Sequence, residues 1–139
     1  MTTGTLDWGP VVAWFGRVPR FHDCEVVSFD LRRDPEISVL CIRAFLMTSA
    51  VDDKGFFVLE KHAMVSFGLT GIADLSLSDW NHQNVLHSLE ITEAGDCWRL
   101  DLESAYGLNG YTIAKAISIS VRPIDAADIT ATLVAARRG

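Results

Sequence analysis

Runs of alternating apolar and polar residues recur along this chain, and no long helix separates them. Within residues 25–33, Val27, Phe29 and Leu31 alternate with polar residues, a two-residue period that indicates a strand with one solvated face. Successive strands without long connections pair antiparallel, because parallel pairing needs a crossover of a dozen or more residues. The pattern predicts a mainly β (α+β) fold, an antiparallel twisted sheet or sandwich of about seven strands with one short N-terminal helix.

The remaining predicted elements follow from the same reasoning. Val11, Trp14, Phe15 and Val18 recur at helical spacing and predict the helix within residues 10–18. Asn109–Gly110 is a strong turn dipeptide, and a bulge is predicted near residues 60–62. The further strands are predicted within residues 37–47, 56–69, 84–91, 98–102, 117–121 and 128–135, with an uncertain join or split at residues 70–80.

Length, charge and cysteine content limit the classes of function. The 139 residues suit a single domain over residues 1–139. A net charge of −6 argues against a nucleic-acid partner and permits a basic protein partner. The beginning of the chain does not resemble a secretory signal, and no apolar run approaches the ~20 residues that span a bilayer, so no membrane association is expected. Three cysteines without a Cys-x-x-Cys motif indicate reduced thiols and a cytoplasmic location.

His22, Asp23 and Cys24 form the first polar cluster, and their side chains are of the kinds that build metal and nucleophilic sites. On a strand, His22 and Cys24 would point to one face and Asp23 to the other, so the three could not converge on one metal. We therefore favour a structural interpretation, in which His22 and Asp23 bond to backbone groups where the helix joins the first strand. If those bonds are buried, loss of either side chain would cost roughly 1–3 kcal/mol. Cys24 is expected to be buried and inert, and no metal or other cofactor is expected.

The second polar cluster follows Trp80 and consists of four amide or imidazole side chains. Its members are Asn81, His82, Gln83 and Asn84. One interpretation is a loop whose side chains satisfy its own backbone. The other is a recognition surface, in which Trp80, Trp98 and Tyr106 would serve as anchors if they are exposed.

The ordered set of motifs resembles small bacterial proteins of the immunity protein 50 type. The matching residues are Pro19, Phe21, His22, Asp23 and Glu25, then Phe67, Gly71, Asn81, Gln83 and Asn84, and finally Gly107 and Gly110. Cys24 departs from the small residue expected at its position. The resemblance covers most of the chain and implies a mainly β or α+β fold, a cytosolic location, no enzyme activity and a protein partner, namely a cognate toxin that the immunity protein blocks by binding.

Two other functions remain open at this level. A small metal-dependent or hydrolytic enzyme would use His22 and Asp23, with His82 or His87 converging on them in a pocket. A homo-oligomeric β protein would pair copies of itself through exposed strand edges. Neither a glycine-rich phosphate loop nor a serine nucleophile elbow is present in the sequence.

Overall fold

The computed structural model describes residues 6–51, 53, 55 and 57–124, and strands dominate this part of the chain. One short helix precedes six strands. The elements are α1 (Gly9–Phe15), β1 (Glu25–Asp30), β2 (Ser38–Val51), β3 (Phe57–Ser78), β4 (Val85–Ala94), β5 (Cys97–Tyr106) and β6 (Asn109–Pro123). The predicted mainly β, antiparallel fold with a short N-terminal helix is therefore confirmed. The strand predicted within residues 128–135 lies outside the described residues.

The strands form one antiparallel sheet that closes on itself. Its order is β1-β2-β3-β6-β5-β4, and the pairing of Glu25 with Val85 joins β1 to β4. The outcome is a closed barrel rather than a two-layer sandwich. Where neighbouring strands pair, closure removes the edges that an open sheet would expose.

Inward-facing residues of the barrel form the core. Leu40 on β2 pairs with Phe67 on β3, and Ile42 pairs with Val65; all four side chains are fully buried. Burial of side chains of this size stabilises the folded state by about 1.5–3 kcal/mol each. The two-residue alternation of the sequence thus corresponds to an apolar interior and a polar exterior.

Two details of the strands differ from the simplest interpretation of the sequence. Residues 57–69 and 70–78 belong to a single strand, β3, because β6 pairs with it from Ala63 to Ser78, with one shift of register between Ile72 and Asp74. Asn109 and Gly110 begin β6 rather than forming the turn, which falls at Gly107 and Leu108. The predicted bulge is confirmed, since the β2–β3 register shifts there and Lys61 has a φ of +53°.

The helix α1 packs against the barrel through Val11 and Phe15, which are buried. It ends at Gly16, whose φ of +82° provides the left-handed C-cap. A reciprocal pair of hydrogen bonds fixes it to the bulge of β3: the Trp14 indole donates to the Lys61 carbonyl at 2.9 Å, and the Lys61 ammonium donates to the Trp14 carbonyl at 3.0 Å. Within the described ranges, no helix is long and apolar enough to cross a membrane.

Candidate functional site

The two polar clusters of the sequence meet where the barrel closes. The Asp23 N–H donates to the Leu86 carbonyl, and the Leu86 N–H donates to the Cys24 carbonyl, each at 2.8 Å. The Val26 N–H donates to the Asn84 carbonyl, also at 2.8 Å. We call this backbone pairing between residues 23–26 and 84–86 the closing seam. Residues 60 positions apart in the sequence therefore become neighbours on one surface.

His22 and Asp23 lie on a tight turn before β1, not on the strand itself. Phe21 and Asp23 have φ values of +59° and +63°, and the strand begins only at Glu25. Both side chains are about half exposed, and His22 Nε2 lies 3.5 Å from Asp23 Oδ2. His22 Nδ1 lies 3.2 Å from the His87 carbonyl, and the two imidazole rings are in edge-to-face contact at 5.3 Å. The predicted bond of His22 to a backbone group is therefore present at an exposed position, and the backbone bonds of the closing seam also fasten this joint.

Cys24 points away from its two neighbours and into the core. Its side chain has no exposed surface, and burial raises the pKa of the thiol to about 11. A thiol in this environment is neither a nucleophile nor a metal ligand at neutral pH. The turn, rather than strand alternation, separates Cys24 from His22. Across the described residues, no group of three His, Cys, Asp or Glu side chains is placed to hold a metal ion.

Glu25 contributes a charge pair at the start of β1. Its carboxylate lies 3.7 Å from the Arg43 guanidinium of β2, and both side chains are largely buried. The pair joins the two strands at the register position where Glu25 lies opposite Arg43.

Asn84 is the buried member of the second polar cluster. Its side-chain carbonyl accepts hydrogen bonds from the Asn81 N–H at 2.9 Å and from the Leu108 N–H at 3.0 Å. Its amide donates to the Asn81 carbonyl at 2.9 Å. One side chain therefore satisfies the backbone of its own loop and fixes the connection between β5 and β6.

The other members of the second cluster face outward and form a surface of aromatic, amide and imidazole groups. We call it the aromatic–amide surface; it comprises Trp80, Asn81, His82, Gln83 and Tyr106. Trp80 is 55% exposed and Tyr106 is 48% exposed. The His82 ring contacts the Tyr106 ring edge-to-face at 6.3 Å, and Asn81 Oδ1 accepts from the His82 backbone N–H at 2.8 Å.

An apolar cleft of about 330 Å³ lies beside Trp80. Phe29 of β1 and Leu31, which directly follows β1, line the cleft together with Leu77 and Leu108. Leu31 is itself largely exposed. Exposed aromatic residues beside an apolar cleft are typical of protein-binding surfaces, where aromatic anchors supply most of the binding energy.

Sequence reasoning missed a second concave feature, on the other side of the His22 turn. This groove has a volume of about 520 Å³ and lies between residues 17–22, Phe45 and Leu46 of β2, and His87 of β4. Arg17 and Arg20 stand at its rim, so we call it the arginine groove. A signal was present in the sequence: two arginines flank Val18 and Pro19 in a chain that has only 12 basic residues.

Comparison with known proteins identifies a family. A family model described as Immunity protein 50 matches residues 9–123, which include α1 and every strand of the barrel. The search of curated proteins and the search of solved structures found no match.

Proposed function

Because this chain belongs to the immunity protein 50 family, we propose that it protects a bacterial cell by binding a cognate toxin directly in the cytoplasm. Membership of an immunity-protein family bears out the prediction that the chain is not an enzyme. The proposed mechanism is steric: the bound chain covers the part of the toxin that acts on its target. Three free cysteines support a reducing compartment.

We place the toxin contact on the aromatic–amide surface. The observation that carries this choice is the exposure of Trp80 and Tyr106, two large aromatic side chains that a solvated surface does not require. The neighbouring amides and His82 supply hydrogen-bonding groups without the desolvation cost of formal charges. A stable complex would bury ~1,600 Å² in total, so this surface would form the centre of a larger interface.

The charge of the chain supports a basic toxin. On the outer face of the barrel, Glu90 of β4 lies directly opposite Asp101 of β5, and Glu103 is exposed nearby. Together with the net charge of −6, these carboxylates would attract a positively charged protein and accelerate encounter. If the toxin acts on nucleic acid, such carboxylates would also stand in for substrate phosphates.

The test is capture of the protein encoded by the neighbouring gene, followed by a growth-rescue assay in cells that express that protein. We expect wild-type chain to bind it and restore growth. Trp80→Ala and Tyr106→Ala should each weaken binding by about 30-fold, the effect of removing a hot-spot side chain worth about 2 kcal/mol. Val12→Ala, which truncates an exposed apolar residue on α1, is the matched control and should leave binding unchanged.

Two results would contradict the proposal in different ways. Absence of binding to the neighbouring product would count against the toxin-neutralising role. Binding that survives both aromatic substitutions would leave the role intact but move the interface elsewhere on the barrel.

A further inference from the structure

The arginine groove carries two positive charges that the described part of the chain does not neutralise. Three other arginines have acidic partners: Arg32 contacts Asp30, Arg43 contacts Glu25, and Arg99 contacts Asp101. Arg33 and Arg122 make no ion pair among the described residues. Arg17 and Arg20 are exposed, and among the described residues neither makes an ion pair or a side-chain hydrogen bond. Asp23 is the carboxylate nearest to this rim in sequence, and its side chain lies beside His22.

Apolar side chains form most of the lining of the groove, and His22 and His87 add two imidazoles. Phe21 is buried at its base, Val18 is largely exposed at its rim, and Phe45 and Leu46 lie half-buried along β2. Apolar walls with cationic groups at the mouth suit a ligand that combines aliphatic side chains with carboxylates.

A strand edge runs beside the same groove. β2 continues to Val51, but β1 pairs with it only up to Arg43. The Phe45 N–H faces the Cys24 thiol. Beyond that point, within the described ranges, no strand pairs with residues 46–51 on the side that β1 occupies. Backbone groups of this edge can pair with an added strand.

From these three features we propose that the arginine groove binds an extended, acidic and apolar segment of the otherwise basic partner protein, which lies along the part of the β2 edge that β1 leaves unpaired. Alternate side chains of such a segment would enter the apolar groove, and its carboxylates would pair with Arg17 and Arg20. The proposal rests on the proposed function, because it names a second contact with the same partner. A second copy of this chain is a poor occupant, since two-fold pairing across this edge would bring the arginines of both copies together.

A peptide titration tests the groove without the toxin. The probe is a short fluorescent peptide in which glutamate and valine alternate, and the comparison peptide has lysine in place of glutamate. We expect the anisotropy of the acidic peptide to rise on binding, and that of the basic peptide to remain unchanged. N-methylation of alternate peptide bonds on the edge-facing side should weaken binding of the acidic peptide, because strand addition depends on backbone hydrogen bonds.

Matched charge reversals locate the site. Arg20→Glu should weaken binding of the acidic peptide by about tenfold, and Arg17→Glu combined with Arg20→Glu should abolish it. Arg33→Glu makes the same change of charge at an exposed position in the turn after β1 and should alter the affinity less than about twofold. All three side chains are exposed, so the thermal unfolding of each variant should match the wild type.

The outcomes separate this inference from the proposed function. Equal loss of peptide binding in Arg20→Glu and Arg33→Glu would show general charge attraction and overturn the groove. Displacement of the peptide by inorganic phosphate at matched charge concentration would also overturn it, because a simple anion site needs no strand edge. If the toxin binds wild type and the Arg17→Glu/Arg20→Glu variant equally, the groove fails while toxin neutralisation stands. Failure of the toxin to bind wild type rejects the proposed function whatever the peptides do.

Discussion

Burial changes the pKa of Cys24 more than that of any other titratable side chain in the closing seam. Removal from water disfavours the thiolate and raises the pKa of this thiol to about 11. The negative charge of Asp23 also raises the pKa, whereas the backbone N–H of Phe45 and the positive charge of Arg43 lower it. The ordinary value for the unfolded chain is 9.0. Below this value the thiol is protonated in both states and contributes no pH dependence.

Between these two pKa values the unfolded chain loses its proton first, so stability should fall as pH rises. Over about two pH units the free energy of unfolding should fall by about 3 kcal/mol, and the fall should be complete near the pKa of the folded state. Urea unfolding at about pH 8 and about pH 11 measures it. Cys24→Ala should flatten the alkaline decline, whereas Cys41→Ala, at a partly exposed thiol, should not. Tyr111→Phe corrects for the Tyr111 hydroxyl, whose hydrogen bond to Asp74 raises its pKa. An equally steep decline in Cys24→Ala would refute the assignment.

Some residue-level features were predictable from the sequence and others were not. The usual burial of free cysteines, and the absence of any feature that would activate the thiol, already predicted a buried, inert Cys24. The positions of His22 and Asp23 could not be derived, because the positive φ of Phe21 has no signal in the sequence: a bulky side chain disfavours this conformation. The predicted bond of His22 to a backbone group is present, to the His87 carbonyl, but the additional backbone hydrogen bonds of the closing seam had no signal in the sequence.

At the level of elements, Asn84 holds two connections together. The loop before β4 and the turn between β5 and β6 both bond to its buried amide. Gly107 allows this approach, since it has a φ of +91° and a Cβ there would lie 2.5 Å from Asn84 Oδ1. The two turns flank Tyr106, so this amide also positions one anchor of the aromatic–amide surface.

Asn84→Ala should lower the free energy of unfolding by about 2–3 kcal/mol, because it leaves buried backbone groups without partners. Gln83→Ala is the matched control, since Gln83 is the exposed amide next to it, and should change stability by less than about 0.5 kcal/mol. Chemical denaturation measures both variants. Equal, small effects would mean that water replaces the Asn84 bonds and that the amide does not lock the turns.

Element types were easier to predict than their joints. Two-residue periodicity identified β1, β4 and β5, because each has one solvated face. The continuity of β3 was not predictable: Gly71 and the shift of register near Ala73 interrupt the apolar pattern, and only pairing with β6 keeps the strand intact. Asn109–Gly110 carries the composition of a turn, but Gly110 is required within β6 because the backbone of Ser76 and Leu77 passes too close for a Cβ.

At the level of the whole molecule, barrel closure depends on contacts that no local pattern reveals. The closing seam joins residues 60 positions apart, and its side chains give no pairing signal because the bonds are between backbone groups. The sequence contained both polar clusters of the candidate site but not their proximity. Closure also explains why one chain can present two distinct surfaces, the aromatic–amide surface and the arginine groove, on either side of the His22 turn.

Closure further predicts that the free protein is a monomer. Among the described residues, most strands pair on both sides, which leaves little edge for self-association. The part of the β2 edge that β1 leaves unpaired lies beside Arg17 and Arg20, which repel the same residues of another copy. A net charge of −6 adds a general repulsion between copies. Light scattering coupled to size-exclusion chromatography should therefore give a mass near 15.3 kDa. Twice that mass would revive the homo-oligomer interpretation. If the dimer then strengthened when Arg17 and Arg20 were neutralised to glutamine, which removes the like-charge repulsion, the interface would be the β2 edge itself, and the groove would be a site that the arginines normally keep free for another chain.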